Sequence, residues 1–208
     1  MRKILLNSFI LVTFVLLTDC AQTVHVRPYL TFYKEGNASI PRSVGLCVSD
    51  DTLVFVATAK LGVTTVRFPL GESLEPNAKR SLELIFDKVY IVDNVTGSSA
   101  KDDSIERTIS IAFDEGTGIH TGKTTLHAST MVVNLLCQVY NNQGQLVWEK
   151  NVLGKARKGS AKHYFLGGLF GFRVSTDALR EIAEECIRQA LEKLNRELVA
   201  EKTKIFSN

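Results

Sequence analysis

The chain has 208 residues, 45% hydrophobic and 23% charged, which suits one compact domain with a real core and excludes disordered, collagen-like and low-complexity classes. Its 25 basic and 22 acidic residues leave a formal charge of +3, too small a surplus to advertise a nucleic-acid partner. Residues 1 to 19 read as an address. Met1-Arg2-Lys3 precede a mostly apolar run of 14 positions, Ile4 to Leu17, the charged and apolar regions of a secretory signal. As a helix that run spans roughly 21 Å, short of the roughly 30 Å hydrocarbon core, so a permanent transmembrane helix is disfavoured.

The run ends Leu17-Thr18-Asp19-Cys20. A cysteine directly after such a run resembles the lipobox of bacterial lipoproteins, in which the cysteine becomes the acylated first residue of the mature chain. Leu17 fits the leucine position and Thr18 is acceptable, while Asp19 stands where a small residue is usual. The alternative is an ordinary secretory signal followed by an incidental cysteine. Residues 20–42, with Pro28, Gly36 and Pro41 among scattered polar groups, read as a tether that a lipid anchor would use for reach, and residues 43–208 as one domain.

Within that domain, Val44 to Val48, Thr52 to Thr58 and Val63 to Phe68 are short β-rich runs. Leu74, Ala78, Leu82, Ile85, Phe86 and Val89 recur at spacings of three and four, which predicts a helix with Ser73 as N-cap and Pro76 in its first turn. Extended character resumes from Val89 to Val92, and Asp93 to Asp103 is a polar surface loop. Ile105, Thr108 to Phe113 and Thr124 to Tyr140 predict further strands; Asn141-Asn142-Gln143-Gly144 predicts a hairpin turn into Gln145 to Val152. The single tryptophan, Trp148, reads as a core or cross-strand aromatic. From Asp177 to Ala200 a stripe including Leu179, Ala183, Cys186, Ile187, Ala190, Leu191, Leu194 and Leu198 predicts a long amphipathic helix, capped by Thr176 or Ser175. The expected class is α+β, a mostly antiparallel sheet with an internal helix and a long C-terminal helix packed on one face.

Motifs for chemistry are sparse. The Gly116 to Thr124 stretch ends Gly-Lys-Thr but has Thr117 where a phosphate-binding loop needs its first glycine, and a strand-like run follows where that loop needs a helix. His25, His120, His127 and His163 form no metal-ligand spacing; His120 and His127 with Asp114 or Glu115 are the best grouping. The cysteines form no C-x-x-C pair, and Cys47, Cys137 and Cys186 leave at least one thiol free, with Cys186 the first choice. No catalytic, metal or cofactor site is expected. His163 to Phe172 crowds aromatic and aliphatic residues among three glycines, flanked by Arg157, Lys158, Lys162 and Arg173. Its first reading is a buried strand and turn under the last helix. Its second is an apolar tip with a basic collar, in which Phe165, Leu169, Phe170 and Phe172 meet a partner or an anionic membrane surface.

The lipobox-like Cys20, the Phe68-Pro69-Leu70-Gly71 entry to a helix, the Asn-Asn-Gln-Gly hairpin and the closing helix together resemble small bacterial envelope lipoproteins, nearest in pattern the YajG-like and ABC-transport auxiliary lipoproteins. The resemblance implies a non-enzymatic, lipid-anchored component on the periplasmic face of a membrane, the outer membrane favoured. There it would bind an envelope protein partner of a transport or assembly machine, with a lipid or glycan as a further ligand. The competing reading is a carrier enclosing a lipid or lipopolysaccharide-like ligand. An apolar cavity between sheet and helix would mark the carrier; a filled core with an exposed apolar or edge-strand patch would mark the docking protein.

Overall fold

The structure, a computed structural model, describes residues 20–33, 39–61, 64–96, 105–121, 129–157 and 176–207. Nine strands and four helices are described: β1 (Cys20–Thr23), β2 (Ile40–Cys47), α1 (Asp50–Leu53), β3 (Val56–Leu61), β4 (Thr64–Pro69), α2 (Gly71–Leu82), β5 (Phe86–Ile91), β6 (Ile105–Phe113), β7 (Gly118–Thr121), β8 (Ser129–Asn141), β9 (Leu146–Arg157), α3 (Thr176–Ala200) and α4 (Lys202–Phe206). The α+β class is the one expected. β8 organises the larger sheet. Its residues 130 to 140 pair antiparallel with β9 along one edge, while β6 and β7 share the other edge end to end. Beyond β6 lie β2 and then β5, both parallel to it, so the sheet is antiparallel around β8 and parallel toward β5. A smaller sheet has the order β1-β4-β3.

Alternation in β8 and the helical stripe of α3 make one core. Met131, Val133, Leu135, Cys137 and Val139 point to one face, where Ala183, Ile187, Ala190, Leu191 and Leu194 close over them; all ten are at most 1% exposed. Each fully buried leucine or isoleucine here contributes about 1.5–3 kcal/mol of transfer free energy. The helix approaches β9 at Gly154, where even a Cβ would fall inside the Cys186 carbonyl. At the other end Trp148 is buried and donates from Nε1 to Glu201 at 3.0 Å, while Lys150 bridges Glu197 at 2.6 Å and Glu201 at 3.1 Å. The hairpin forms as expected, with Gly144 at φ 74°, a conformation that glycine adopts freely.

Four local expectations are corrected. Residues 20–33 are not a free tether: Cys20–Thr23 is a strand parallel to β4, and Val24, Val26, Leu30 and Phe32 are buried in the main core. Asp50–Leu53 is a helical turn because Ser49 caps it through Thr52 and two aspartates occupy its first turn, which outweighs the β preference of Thr52 and Val54. α2 begins earlier than expected, at Gly71, which leaves Pro76 in the second turn. Ser73 donates back to the Leu70 carbonyl at 3.0 Å instead of capping. The same helix stops at Leu82, since Phe86 and Val89 belong to β5; buried three apart in a strand rich in aromatic and branched residues, they imitate helical spacing.

Candidate functional site

Residues 20–33 hold the features of greatest functional interest, because they join the candidate anchor to the body. Their even-numbered apolar members turn inward and their odd-numbered members, His25, Arg27, Tyr29, Thr31 and Tyr33, face solvent. That is strand-like alternation, interrupted only by exposed Pro28. The polar side is fastened to α3 at regular intervals. Gln22 Nε2 donates to Thr176 Oγ1 at 2.5 Å, Arg180 Nε donates to the His25 carbonyl at 3.2 Å, and Arg27 Nε donates to Glu184 Oε1 at 2.8 Å. Arg27 closes a fork with a second bond to Glu184 Oε2 at 2.5 Å, and its own backbone N–H reaches Oε1 at 3.2 Å. The side chain of Glu184 is 7% exposed although that of Arg27 is 70% exposed. The pair therefore compensates a buried anion while its cation stays hydrated. The hydrogen bond from Arg27 to Glu184 also raises the guanidinium pKa above its already high ordinary value.

A second fastening comes from α2. Buried Asn77 accepts from the Leu30 backbone N–H at 2.7 Å and donates to the Arg27 carbonyl at 3.0 Å and the Ser73 carbonyl at 2.8 Å. One amide thus satisfies two backbone groups of the arm in a place closed to water.

Between arm and helix lies a half-open cleft of about 340 Å³, bordered by Tyr29, Thr31, Glu181, Glu185 and Arg188 above the Arg27–Glu184 pair. Its charges are engaged with one another: Arg188 binds Glu185 at 2.6 Å and Glu192 at 2.6 Å. The hydrogen bond from Arg188 holds the Glu185 carboxyl below its ordinary pKa, and the one to Glu185 lifts Arg188. Groups displaced in these directions keep their charges through neutral pH, so they suit a structural clasp better than proton transfer.

The sequence candidates fall differently. Cys20 opens β1 in register with Thr64. Phe165, Leu169, Phe170 and Phe172 lie outside the described residues, as do His127 and His163. Asp114 Oδ2 accepts from Asn134 at 3.1 Å and Asn151 at 2.8 Å, which ties a sheet surface together. His25 stands 3.4 Å from Glu72 on an exposed face. Among the described residues no three metal-ligating side chains converge. The Gly116 to Thr121 part of the glycine-rich stretch runs through a turn into β7 instead of into a helix N-terminus.

Cys47, Cys137 and Cys186 are all buried and unpaired, not Cys186 alone. Burial raises the Cys137 and Cys47 thiols, and burial also pushes Cys186 from 9.0 up to about 12. Cys186 accepts from the Ala156 N–H at 3.1 Å and donates to the Met131 carbonyl at 3.2 Å. Since folding raises these pKa values, the thiols favour the native state fully below about pH 9, and that contribution is lost as pH climbs toward 12. The expected result is that a thiol reagent at pH 8 leaves all three unlabelled in the folded protein and labels all three in denaturant. Rapid native labelling of Cys186 would show the α3–sheet interface to be open.

Among the described residues the large exposed apolar side chains are scattered: Tyr29 and Tyr33 stand on the arm and Val54 and Val56 beside the start of β3, while three more lie on the two outermost strands of the larger sheet. Ile91 on β5 is 45% exposed, and Leu146 and Leu153 on β9 are 49% and 46% exposed. Neither helix count nor charge pattern signals them in the sequence, because an edge is defined only by which strands pair.

No protein-family model matches the chain, and no curated protein matches it. Among solved structures it is similar to a protein from Xanthomonas campestris described by the family model DUF330, with a TM-score of 0.58 and 8% identity, covering 88% of this chain and 97% of that one. It is also similar to a minor lipoprotein from Acinetobacter baumannii, at a TM-score of 0.45 and 10% identity over 77% of this chain and 94% of the other. An uncharacterized lipoprotein B from Nitrosomonas europaea gives a TM-score of 0.45 and 10% identity over 84% of this chain and 94% of its own. The first likeness establishes a shared fold.

Proposed function

We propose that the chain is a non-catalytic envelope lipoprotein, held by an acylated Cys20 at the periplasmic face of a membrane, that docks a protein partner of a transport or assembly machine. The outer membrane is the favoured address. The observation that carries the docking role is the filled space between sheet and α3, where a carrier would keep its ligand: Leu135, Ile187, Leu191 and Leu194 meet there with no exposed surface. The cleft of about 340 Å³ lies outside that core and is bordered by paired charges, which suits neither an acyl chain nor a lipid A-like ligand. Exposed Ile91 and Leu153 on the outermost strands fit recognition through apolar contacts and sheet edges.

The anchor reading rests on the signal-like residues 1–19 and the position of Cys20. No described helix is long and apolar enough to cross a membrane. A multiply acylated cysteine would hold the protein stably, since each buried methylene contributes about 0.8 kcal/mol. Phe165, Leu169, Phe170 and Phe172 are proposed as additional leaflet contacts. What supports them is that the chain re-enters the described fold at Thr176, hydrogen-bonded to Gln22, two residues from the anchor.

The anchor and docking roles are tested together. Cys20→Ser is expected to move the protein from the detergent phase to the aqueous phase, whereas continued membrane association would reject lipidation as its cause. The purified protein is expected to retain one stoichiometric protein from envelope extract and to lose it on Leu153→Asp. Recovery of tightly bound extractable lipid in its place would favour the carrier.

A further inference from the structure

The arm along α3 determines more than its own placement. Its contacts advance together with the helix: Gln22 meets Thr176, His25 meets Arg180 and Arg27 meets Glu184. The eight residue steps from Thr176 to Glu184 along the helix cover about 12 Å, and the five steps from Gln22 to Arg27 along the arm reach up to about 17 Å when extended. Arm and helix therefore run side by side in the same direction. Cys20, no more than about 7 Å before Gln22, sits at the N-terminal end of α3. The same end holds the start of β4 and the close of β3, since Cys20 pairs with Thr64 and Thr64 with Leu61.

The opposite end is equally defined. α3 is roughly 37 Å long at about 1.5 Å per residue; its last turn carries Glu197 and Glu201 follows directly after it, the two bound by Lys150 and Trp148 next to the β8–β9 hairpin. Phe206 of α4 lies 6.0 Å, ring to ring, from Phe86 at the start of β5. Hairpin and α4 thus form the pole farthest from Cys20.

We infer that acylation of Cys20 holds the body end-on against the lipid leaflet, with the N-terminal end of α3, the end of β3 at Leu61 and the start of β4 at Thr64 facing the lipid and the β8–β9 hairpin projecting away from it. This rests on Cys20 being the anchor, and it adds an orientation that a slack tether would not give. With the arm strapped down, the acyl group enters the leaflet within a residue or two of folded protein. The edge strands β5 and β9 then stand along the membrane normal, open to a partner in the periplasm.

The test uses the acylated full-length protein in vesicles containing a headgroup-labelled quencher lipid. A single dye is placed at exposed Lys60→Cys or at exposed Gln143→Cys, the three native thiols being buried. The orientation calls for several-fold stronger quenching at position 60 than at position 143. Breaking the strap with Arg27→Ala combined with Asn77→Ala should reduce that contrast while leaving vesicle binding intact. Equal quenching at both positions of the bound parent protein, or stronger quenching at 143, would overturn the orientation and leave the anchor standing. Vesicle binding unchanged by Cys20→Ser would remove the anchor itself, and the orientation with it.

Discussion

Replacing Gly154 with valine is expected to be among the most damaging single substitutions in the described fold. Position 154 of β9 lies under α3 so closely that a Cβ would sit inside the Cys186 carbonyl and 2.9 Å from the Ala190 nitrogen. Backbone atoms of a helix cannot turn aside as a long side chain can, so α3 must shift away from the sheet. The shift would loosen the contact of Ala183, Cys186, Ile187 and Ala190 with β8 and β9, all of them without exposed surface. A loss of about 3 kcal/mol follows, or about 6–12 °C in Tm for a domain of this size. Gly118→Ala is the control, since a Cβ there meets nothing within 4 Å; it should remain within about 0.5 kcal/mol of the parent. A Gly154→Val protein that melts with the parent would show that α3 does not pack on β9 in this way.

The second large effect is expected from Asn77→Ala. Alanine leaves the Leu30 N–H and the Arg27 carbonyl without the amide that satisfies them. An orphaned buried backbone group costs about 1–3 kcal/mol, so a total of about 2–4 kcal/mol is expected, less whatever water recovers. The more informative readout is local. Amide exchange at Leu30 should accelerate strongly, and a protease site should open within residues 24 to 33. Glu184→Ala should do the same more weakly, because Arg27 is already largely hydrated. Unchanged protection at Leu30 in Asn77→Ala would mean that the arm is held by its apolar side chains alone.

Those two positions illustrate what the sequence makes legible. The stripe from Leu179 to Leu198 and the alternation from Met131 to Val139 are long, periodic and flanked by clear turn residues, so the helix, the hairpin and the α+β class follow from pattern alone. The arm is different. Val24, Val26, Leu30 and Phe32 do alternate, but Pro28 breaks the run and the intervening charged and aromatic residues resemble a linker. Only the tertiary partners reveal the strap. Gln22 and Thr176 are 154 positions apart, and Arg27 and Glu184 are 157 apart, separations at which no local signal exists. Gly154 likewise reads as a weak point in a strand until the helix above it is seen. For β5, Phe86 and Val89 carried a spacing shared by two kinds of element, and the neighbouring strand decided between them.

The strap also changes how the proposed anchor works. A flexible linker of about twenty residues would let the domain sample a wide volume above the leaflet. Docking residues 20–33 removes most of that freedom, so under the proposed anchoring a partner in the same membrane would meet the edge strands at a fixed height and orientation. Recognition would then forfeit less rotational freedom on binding, a form of preorganisation that favours affinity without new contacts.

The most direct measurement is the mass of the N-terminal peptide released from membrane-bound protein. It should begin at Cys20, lack residues 1–19 and carry the added mass of lipid on that cysteine. A peptide that begins elsewhere, or begins at an unmodified Cys20 in protein still bound to membrane, would contradict the lipid-anchored reading.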